Sequence, residues 1–331
     1  MTQNTLPQSS RRYRYLWLLI RMMFIGAIFA LIFSRIDLSL LLAQVQELRI
    51  SYLLAGFGTI LIAILIVSVR WKILLDVVAP GINLLPLVIF NLVGIFYSQF
   101  LPGNVTGDLV KGYYLARTDR DKVSVFSSVV VDRFIGISIN GLIGVIALIG
   151  NATILNVLHV NANIPRFLVI ATIVGIIALY FLFSFFGRWK HRFPRVVTPF
   201  YDAFQIYLKH PVSLAKAGLA NLLYFLIWGL GFWALALSVG LTQIDFPTII
   251  LILAAVNFAQ TIPVSINGWG IREGALILLL SAYGVPEEKA LLLSLLVAAT
   301  GLVVAVIGGM FVLSDYRHIR QHSEIAEGEH S

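Results

Sequence analysis

The stretch 99–115, QFLPGNVTGDLVKGYYL, and the stretch 260–276, QTIPVSINGWGIREGAL, decide how this chain folds, because they are one pattern written twice. Aligned without a gap they stand 161 residues apart, so that Gln99 falls on Gln260, Pro102 on Pro263, Gly107 on Gly268 and Lys111 on Arg272. The register extends outward to Pro86 on Pro247 and Leu92 on Leu253. Leucine on leucine arises by chance in an apolar chain; two prolines, a glycine and a basic residue held in register do not. Each stretch also ends an apolar segment, 84–101 in one case and 247–262 in the other. Proline has no N–H and disfavours helix in the residue before it, and glycine permits positive φ. Pro102, Gly103 and Gly107, and likewise Pro263, Gly268 and Gly270, therefore predict two helix breaks, with helices restarting near Asp108 and Trp269.

The rest of the chain sets these breaks in a membrane. Of 331 residues, 59% are hydrophobic and only 12% are Asp, Glu, Lys or Arg, and the mean hydropathy is +0.91. A soluble globule is roughly 45–50% apolar and about 25% charged, so a water-facing surface cannot be covered. Disorder and a soluble multidomain enzyme are excluded on the same ground, and the continuous, non-alternating apolar runs argue against a β-barrel. Six stretches reach the length needed to cross about 30 Å of hydrocarbon: 15–33, 52–69, 124–149, 166–186, 218–239 and 290–313. The first follows Arg11, Arg12 and Arg14 and reads as a retained signal anchor.

A net charge of +8 would point to nucleic acid were it not for where the charges lie. Seventeen Lys and Arg fall in the N-terminal tail, 70–83, 111–122, 187–217 and the C-terminal end, against four (Arg35, Arg49, Arg166, Lys289) in the remaining loops. This asymmetry predicts cytoplasmic termini, an integral plasma (inner) membrane protein, and no nucleic-acid partner. Because 70–83 and 111–122 are both basic, the segment between them must enter the membrane and return to the face it left. The mirror case holds for 247–282, between non-basic loops. The expected fold is thus an all-α polytopic membrane protein with six transmembrane helices and two re-entrant helical hairpins in an inverted-topology repeat. Its parts are a tail at 1–14, a first repeat at 15–160 with hairpin 84–116, a second at 161–315 with hairpin 247–282, and a tail at 316–331.

Non-helical backbone at membrane depth survives only where protein or a polar cavity surrounds it. Helices restarting at the breaks would aim free N–H groups, and the positive end of the dipole, at an anion, with Lys111 and Arg272 about one turn further on. Asn104, Ser265 and Asn267 add polar side chains in the breaks. Charges inside the membrane are costly and mark sites; here they are Asp108, Asp132, Arg133, Arg272 and Glu273, with Arg21 near a membrane end. Asp132 and Arg133, adjacent on a helix, diverge by about 100°, so each needs another partner: Lys111 or Arg272 for Asp132, and Asp108, Glu273 or a substrate anion for Arg133. Arginine's planar fork suits a lipid phosphate, which makes Arg133 and Arg272 the first candidates to bind one. Val197–Leu208 also reads as a short amphipathic helix in the interface, although positive-inside charge placement suffices to explain its loop.

No catalytic residue, metal ligand set or cofactor motif emerges. The six histidines fall in loops or the tail without ligand spacing, cysteine is absent, and there is no P-loop, G-x-G-x-x-G or nucleophile elbow. Gly308-Gly309 and Gly141/Gly144 read as close helix packing.

At LPGNVTGDLVKGYYLAR (101–117), VVVDRFIGI (129–137) and IPVSINGWGIREGAL (262–276) the chain resembles the lysylphosphatidylglycerol synthase transmembrane-region family, also called flippase-like integral membrane proteins, over about residues 14–315. The family's Asp-Arg pair falls on Asp132–Arg133 and its Pro-x-Ser-x-x-Gly-x-Gly-x-Arg-Glu run on Pro263–Glu273. Its first motif carries a double glycine before the acidic residue and an Arg after it, where this chain has Thr106-Gly107-Asp108 and Lys111. In the aminoacyl-phospholipid synthases this region is joined to a soluble transferase domain; here the chain ends about 17 residues after the last span, so the synthase activity is not expected. The resemblance implies the translocating part: a flippase or scramblase-like transporter rather than an enzyme. Its partner is a membrane lipid with a phosphate headgroup, an anionic phospholipid or a polyprenyl phosphate. The alternative is a non-catalytic membrane subunit serving a separate lipid- or glycan-modifying transferase.

Overall fold

The computed structural model describes residues 38–100, 106–118, 121–150, 198–260 and 268–328, with Met23 alone before them. Among the described residues there are ten α-helices and no strand. The first half holds α1 (Leu38–Gln46), α2 (Ile50–Val78), α3 (Leu84–Phe100), α4 (Thr106–Ala116) and α5 (Lys122–Gly150). The second holds α6 (Thr198–Leu208), α7 (Pro211–Ser238), α8 (Phe246–Ala259), α9 (Ile271–Ser281) and α10 (Glu287–Gly328). Four stretches, Ile50–Val78, Lys122–Gly144, Pro211–Ser238 and Glu287–Leu313, are long and apolar enough to cross a membrane. They contain the expected spans 52–69 and 290–313 and all but the C-terminal ends of 124–149 and 218–239; the expected spans 15–33, apart from Met23, and 166–186 lie outside the described residues.

Helix ends follow local chemistry. Pro211 opens α7, where its missing N–H costs no helical bond. Past its C-terminus Gly240 takes φ +83°, while its N–H reaches Leu237 O and that of Leu241 reaches Ala236 O, the paired bonds of a glycine-closed helix end. Asp121 precedes α5 and accepts from the Ser124 N–H at 2.9 Å and the Ser124 hydroxyl at 2.7 Å, a side-chain N-cap. Those donors hold its carboxyl below the ordinary value. A depressed folded value means the cap contributes above the unfolded carboxylate range and is lost as pH falls through the folded one. Asp121→Ala is accordingly expected to lower stability by about 1 kcal/mol at neutral pH. The difference from wild type should vanish in acid; a constant difference across a pH series of melts would refute the cap.

One correction concerns α2. Arg70 and Lys72 count as loop cations when the span is ended at residue 69, but the helix runs on to Val78. Its core face continues through Trp71, Leu74 and Leu75, all fully buried; a cation interrupts the hydropathy without interrupting the helix.

The 161-residue offset recurs in three dimensions. Ile50, the first residue of α2, corresponds to Pro211, the first of α7, and α1, α3, α4 and α5 correspond in order to α6, α8, α9 and α10. Contacts exchange in the same way. The central pair α2 and α7 pack on each other; α3 leans on α10 as α8 leans on α5; α4 folds back on α3 as α9 does on α8; α1 lies against α10 as α6 lies against α5. Each helical hairpin is thus held by the last long helix of the opposite half. Small residues permit these approaches, as packing between helices in lipid requires. A methyl built on Gly56 of α2 would lie 3.0 Å from Gly231 O of α7, and one on Gly231 would lie 3.2 Å from Gly56 O. Gly144 of α5 faces Ala254 of α8 in the same manner, at 3.6 Å.

The expected amphipathic segment Val197–Leu208 is the helix α6. Its Tyr207 is fully buried in a small cluster with Leu74, Val131 and Ala217. Burial first, and then the charge of Asp132, holds the Tyr207 phenol above its ordinary value.

Candidate functional site

Between the two hairpins lies a cavity of about 630 Å³, within the usual size of small-molecule sites (roughly 300–1,000 Å³). Its charged wall comes from both halves: Asp108 and Lys111 of α4, Asp132 and Arg133 of α5, Arg272 of α9, and Arg70 of α2. Helix α5 supplies two adjacent ridges at four-residue spacing, Asp132, Gly136 and Asn140 beside Arg133, Ile137 and Gly141, as helical periodicity demands.

Asp132 is the centre of the charge cluster. It is 2% exposed, receives Arg70 Nε on Oδ1 at 2.6 Å and Lys111 Nζ on Oδ2 at 3.1 Å. Arg70 also donates through Nη1 to the Asn221 side-chain oxygen, and Asn221 donates on to Asn140 at 3.2 Å. Lys111 Nζ stands 4.9 Å above the Trp71 ring, whose own N–H donates to Ser128 Oγ at 3.1 Å. A carboxylate with two cations, each further satisfied, is the arrangement in which buried charge is tolerated. Asp108 is less enclosed: its side chain is 20% exposed and bridges Lys111, on Oδ1 at 3.1 Å, and Arg133, on Oδ2 at 3.2 Å. Of the partners the sequence allows, Asp132 takes Lys111 and Arg133 takes Asp108.

The second hairpin is built differently. Arg272 lines the cavity under the Trp269 ring, 5.2 Å away, and pairs with its own neighbour Glu273 at 2.8 Å. Glu273, expected among the substrate contacts, has no exposed surface and does not line the cavity. Its Oε1 receives Arg272 and the Ser294 hydroxyl, and its Oε2 receives the Gly270 N–H at 2.6 Å. It closes the start of α9, so the Gly270 N–H serves an internal carboxylate rather than a bound anion. The two breaks also part company in detail. Gly268 has φ +78° and Gly270 φ +84°, and a side chain on Gly268 would collide with Gln260. Gly107, expected to be part of a break, is instead helical within α4. It is there for closeness: a methyl on it would lie 2.6 Å from Gly94 O of α3. Lys111 sits well inside α4 while Arg272 is the second residue of α9, so the repeat is kept in sequence register but not in helix register.

Pro102, Gly103, Asn104, Pro263, Ser265 and Asn267 lie outside the described residues. The structure brings Asp108, Lys111, Asp132 and Arg133 into one cluster and sets Arg272 on the same cavity. Arg70, Asn140 and Asn221 were missed. Asn140 and Asn221 were detectable as amides inside apolar spans, and Arg70 as a cation followed by Trp71, Leu74 and Leu75 at helical spacing.

A family model described as "Lysylphosphatidylglycerol synthase TM region" matches residues 18–309 of the chain. No curated protein matches it.

Proposed function

The chain belongs to the lysylphosphatidylglycerol synthase transmembrane-region family, and on that premise we propose that this integral membrane protein moves an anionic lipid between leaflets. The observation that carries the reading is one cavity walled by the two cations that the repeat makes equivalent, Lys111 and Arg272, together with Arg133. Asp132 stands ten residues into α5, roughly 15 Å along the helix and half of a hydrocarbon layer about 30 Å thick. A phosphate headgroup would traverse the charged cavity while its acyl chains stay in lipid. In this reading α3–α4 and α8–α9 are re-entrant hairpins from opposite faces, and with 15–33 and 166–186 as further spans the halves are inverted repeats. The termini are cytoplasmic; moving Arg70 from loop to core leaves the basic asymmetry intact. Nothing nucleotide-binding is written in the chain, so the motion follows an ion gradient or runs downhill, and the protein is a transporter rather than an enzyme.

Reconstitution into liposomes carrying a fluorescent anionic lipid is the test. Leaflet exchange should accelerate over empty vesicles. Arg133→Gln should slow it roughly ten- to hundredfold, the worth of a hydrogen bond to a charged group, with the melting profile retained. Unaccelerated exchange across several anionic headgroups would sink the reading. The second reading, a membrane subunit of a lipid-modifying enzyme, rests on the family's being named for a synthase; co-purification of a transferase whose activity depends on this chain, without exchange, would favour it.

A further inference from the structure

The cations of the cavity are unequally satisfied. Arg70 is held by Asp132 and Asn221, Lys111 by Asp132 and Asp108, and Arg272 by Glu273 and Ser294. Arg133 is not: its only carboxylate among the described residues is Asp108, through Nη1 at 3.2 Å, its Nε is buried without a hydrogen-bond partner, and its side chain is 38% exposed. A guanidinium presents a fork fitted to two oxygens of one anion, and here one oxygen of a shared carboxylate occupies it. Asp108 is also the carboxylate most open to the cavity: 20% of its side chain is exposed, against 2% for Asp132 and none for Glu273.

The charges themselves can be counted. Among the described residues of the cavity wall and the groups bonded to it, Arg70, Lys111, Arg133 and Arg272 stand against Asp108, Asp132 and Glu273, one positive charge in excess. In a site of low dielectric, a ligand charge beyond the one that this excess neutralises is expensive to bury. A phosphodiester carries one negative charge, whereas a phosphomonoester carries about −1.5 to −2 at pH 7, and a diphosphate more. We propose that Asp108 is a displaceable internal counter-ion that holds Arg133 in the empty cavity, and that the site selects a lipid whose headgroup carries a single phosphodiester charge. The phosphate takes Arg133, and Asp108 keeps its contact to Lys111. The inference rests on the cavity's being a lipid-headgroup site, and it separates the two substrate classes left open above: the phosphodiester phospholipid is favoured over the polyprenyl monophosphate.

The experiment is a binding titration of the purified full chain in detergent micelles, independent of transport. The probes are short-chain phosphatidylglycerol as the diester, short-chain phosphatidic acid as the monoester, and water-soluble glycerophosphoglycerol. Wild type should bind the diester about tenfold or more tightly than the monoester, and Asp108→Asn, with one further positive charge in excess, should move that ratio about tenfold toward the monoester. Arg133→Gln should weaken the diester. A wild-type protein that binds the monoester as tightly as the diester overturns the proposal without any variant, and so does an unchanged ratio in a folded Asp108→Asn protein. Equal competition by glycerophosphoglycerol assigns the site to a free anion and overturns the lipid. Diester-selective binding with no leaflet exchange sinks the transport reading alone; exchange without charge selectivity sinks this one alone.

Discussion

Asp132→Asn is expected to lower the unfolding free energy by about 3–5 kcal/mol, the cost of removing one partner from a buried ion pair. The carboxylate is 2% exposed and receives both Arg70 and Lys111. An amide of the same shape retains one acceptor oxygen and no charge, so Arg70 loses its carboxylate and Lys111 keeps only Asp108. The internal control has the same geometry and a different setting. Lys72 and Asp76, one turn apart on α2, also meet at 2.6 Å, but their side chains are 32% and 39% exposed. Asp76→Asn should therefore cost only about 0.3–0.5 kcal/mol. Adding Lys111→Met to Asp132→Asn removes one of the two cations that met at Asp132, and the double variant should be more stable than the sum of the singles predicts. Unfolding in mixed micelles measures all four proteins. Equal losses for Asp132→Asn and Asp76→Asn would mean that distance rather than burial governs these pairs.

The parts of the molecule legible in the sequence are those where one local rule decides. Proline and glycine punctuation places α3 and α4 inside the expected 84–116, and α8 and α9 within one residue of 247–282. The 100° step between neighbouring helical residues is enough to predict that Asp132 and Arg133 look elsewhere for partners. That same rule misleads at Arg272 and Glu273, whose long side chains reach each other from adjacent positions at the start of a helix. Partner identity across the fold is another matter. Arg70 and Asp132 stand 62 residues apart and Arg70 and Asn221 stand 151 apart; the apolar spacing after Arg70 marks it as helical, but nothing local names the groups it faces. Gly107 and Gly268 are aligned by sequence, yet one serves close packing and the other a left-handed turn; glycine's single letter stands for both uses.

The site is less symmetric than the scaffold around it. At the 161-residue offset Lys111 has Arg272, but Asp132 and Arg133 have Leu293 and Ser294, and Asp108 has Trp269. The acidic groups facing the cavity thus come from the first half, while the second contributes Arg272, with its own carboxylate sealed beneath it, and the Trp269 ring. Halves alike in helix order and contacts but one-sided in chemistry place Asp108 and Lys111 together on α4 of the first hairpin. The contact that seats this hairpin against α10 is then as consequential as any residue in the cavity.

Gly308→Ala tests that contact. A methyl on Gly308 of α10 would overlap the carbonyl oxygen of Leu92 on α3 and lie 2.6 Å from its carbonyl carbon. Both colliding partners are backbone, so no rotamer change relieves the overlap and the two helices must separate. Overpacking of this kind costs typically 1–3 kcal/mol and occasionally more; with backbone on both sides, a loss of about 3 kcal/mol is expected. The neighbouring Gly309 meets Phe96 Cε2 at 2.8 Å, the far end of a side chain that can turn, so Gly309→Ala should cost about 1 kcal/mol. Gly58, mid-helix in α2, has nothing within 4 Å of its added methyl among the described residues, and Gly58→Ala should be neutral or gain up to about 1 kcal/mol from helix propensity. The order of the three melts is the result to watch. If α3 and α10 are locked through Gly308, its variant should also bind phosphatidylglycerol more weakly, since Asp108 and Lys111 ride on the hairpin that moves, while the Gly58 variant keeps wild-type binding. A Gly308→Ala protein as stable as Gly58→Ala would show that the first hairpin is not seated on α10, and the cavity would lose the support of the wall that carries Asp108 and Lys111.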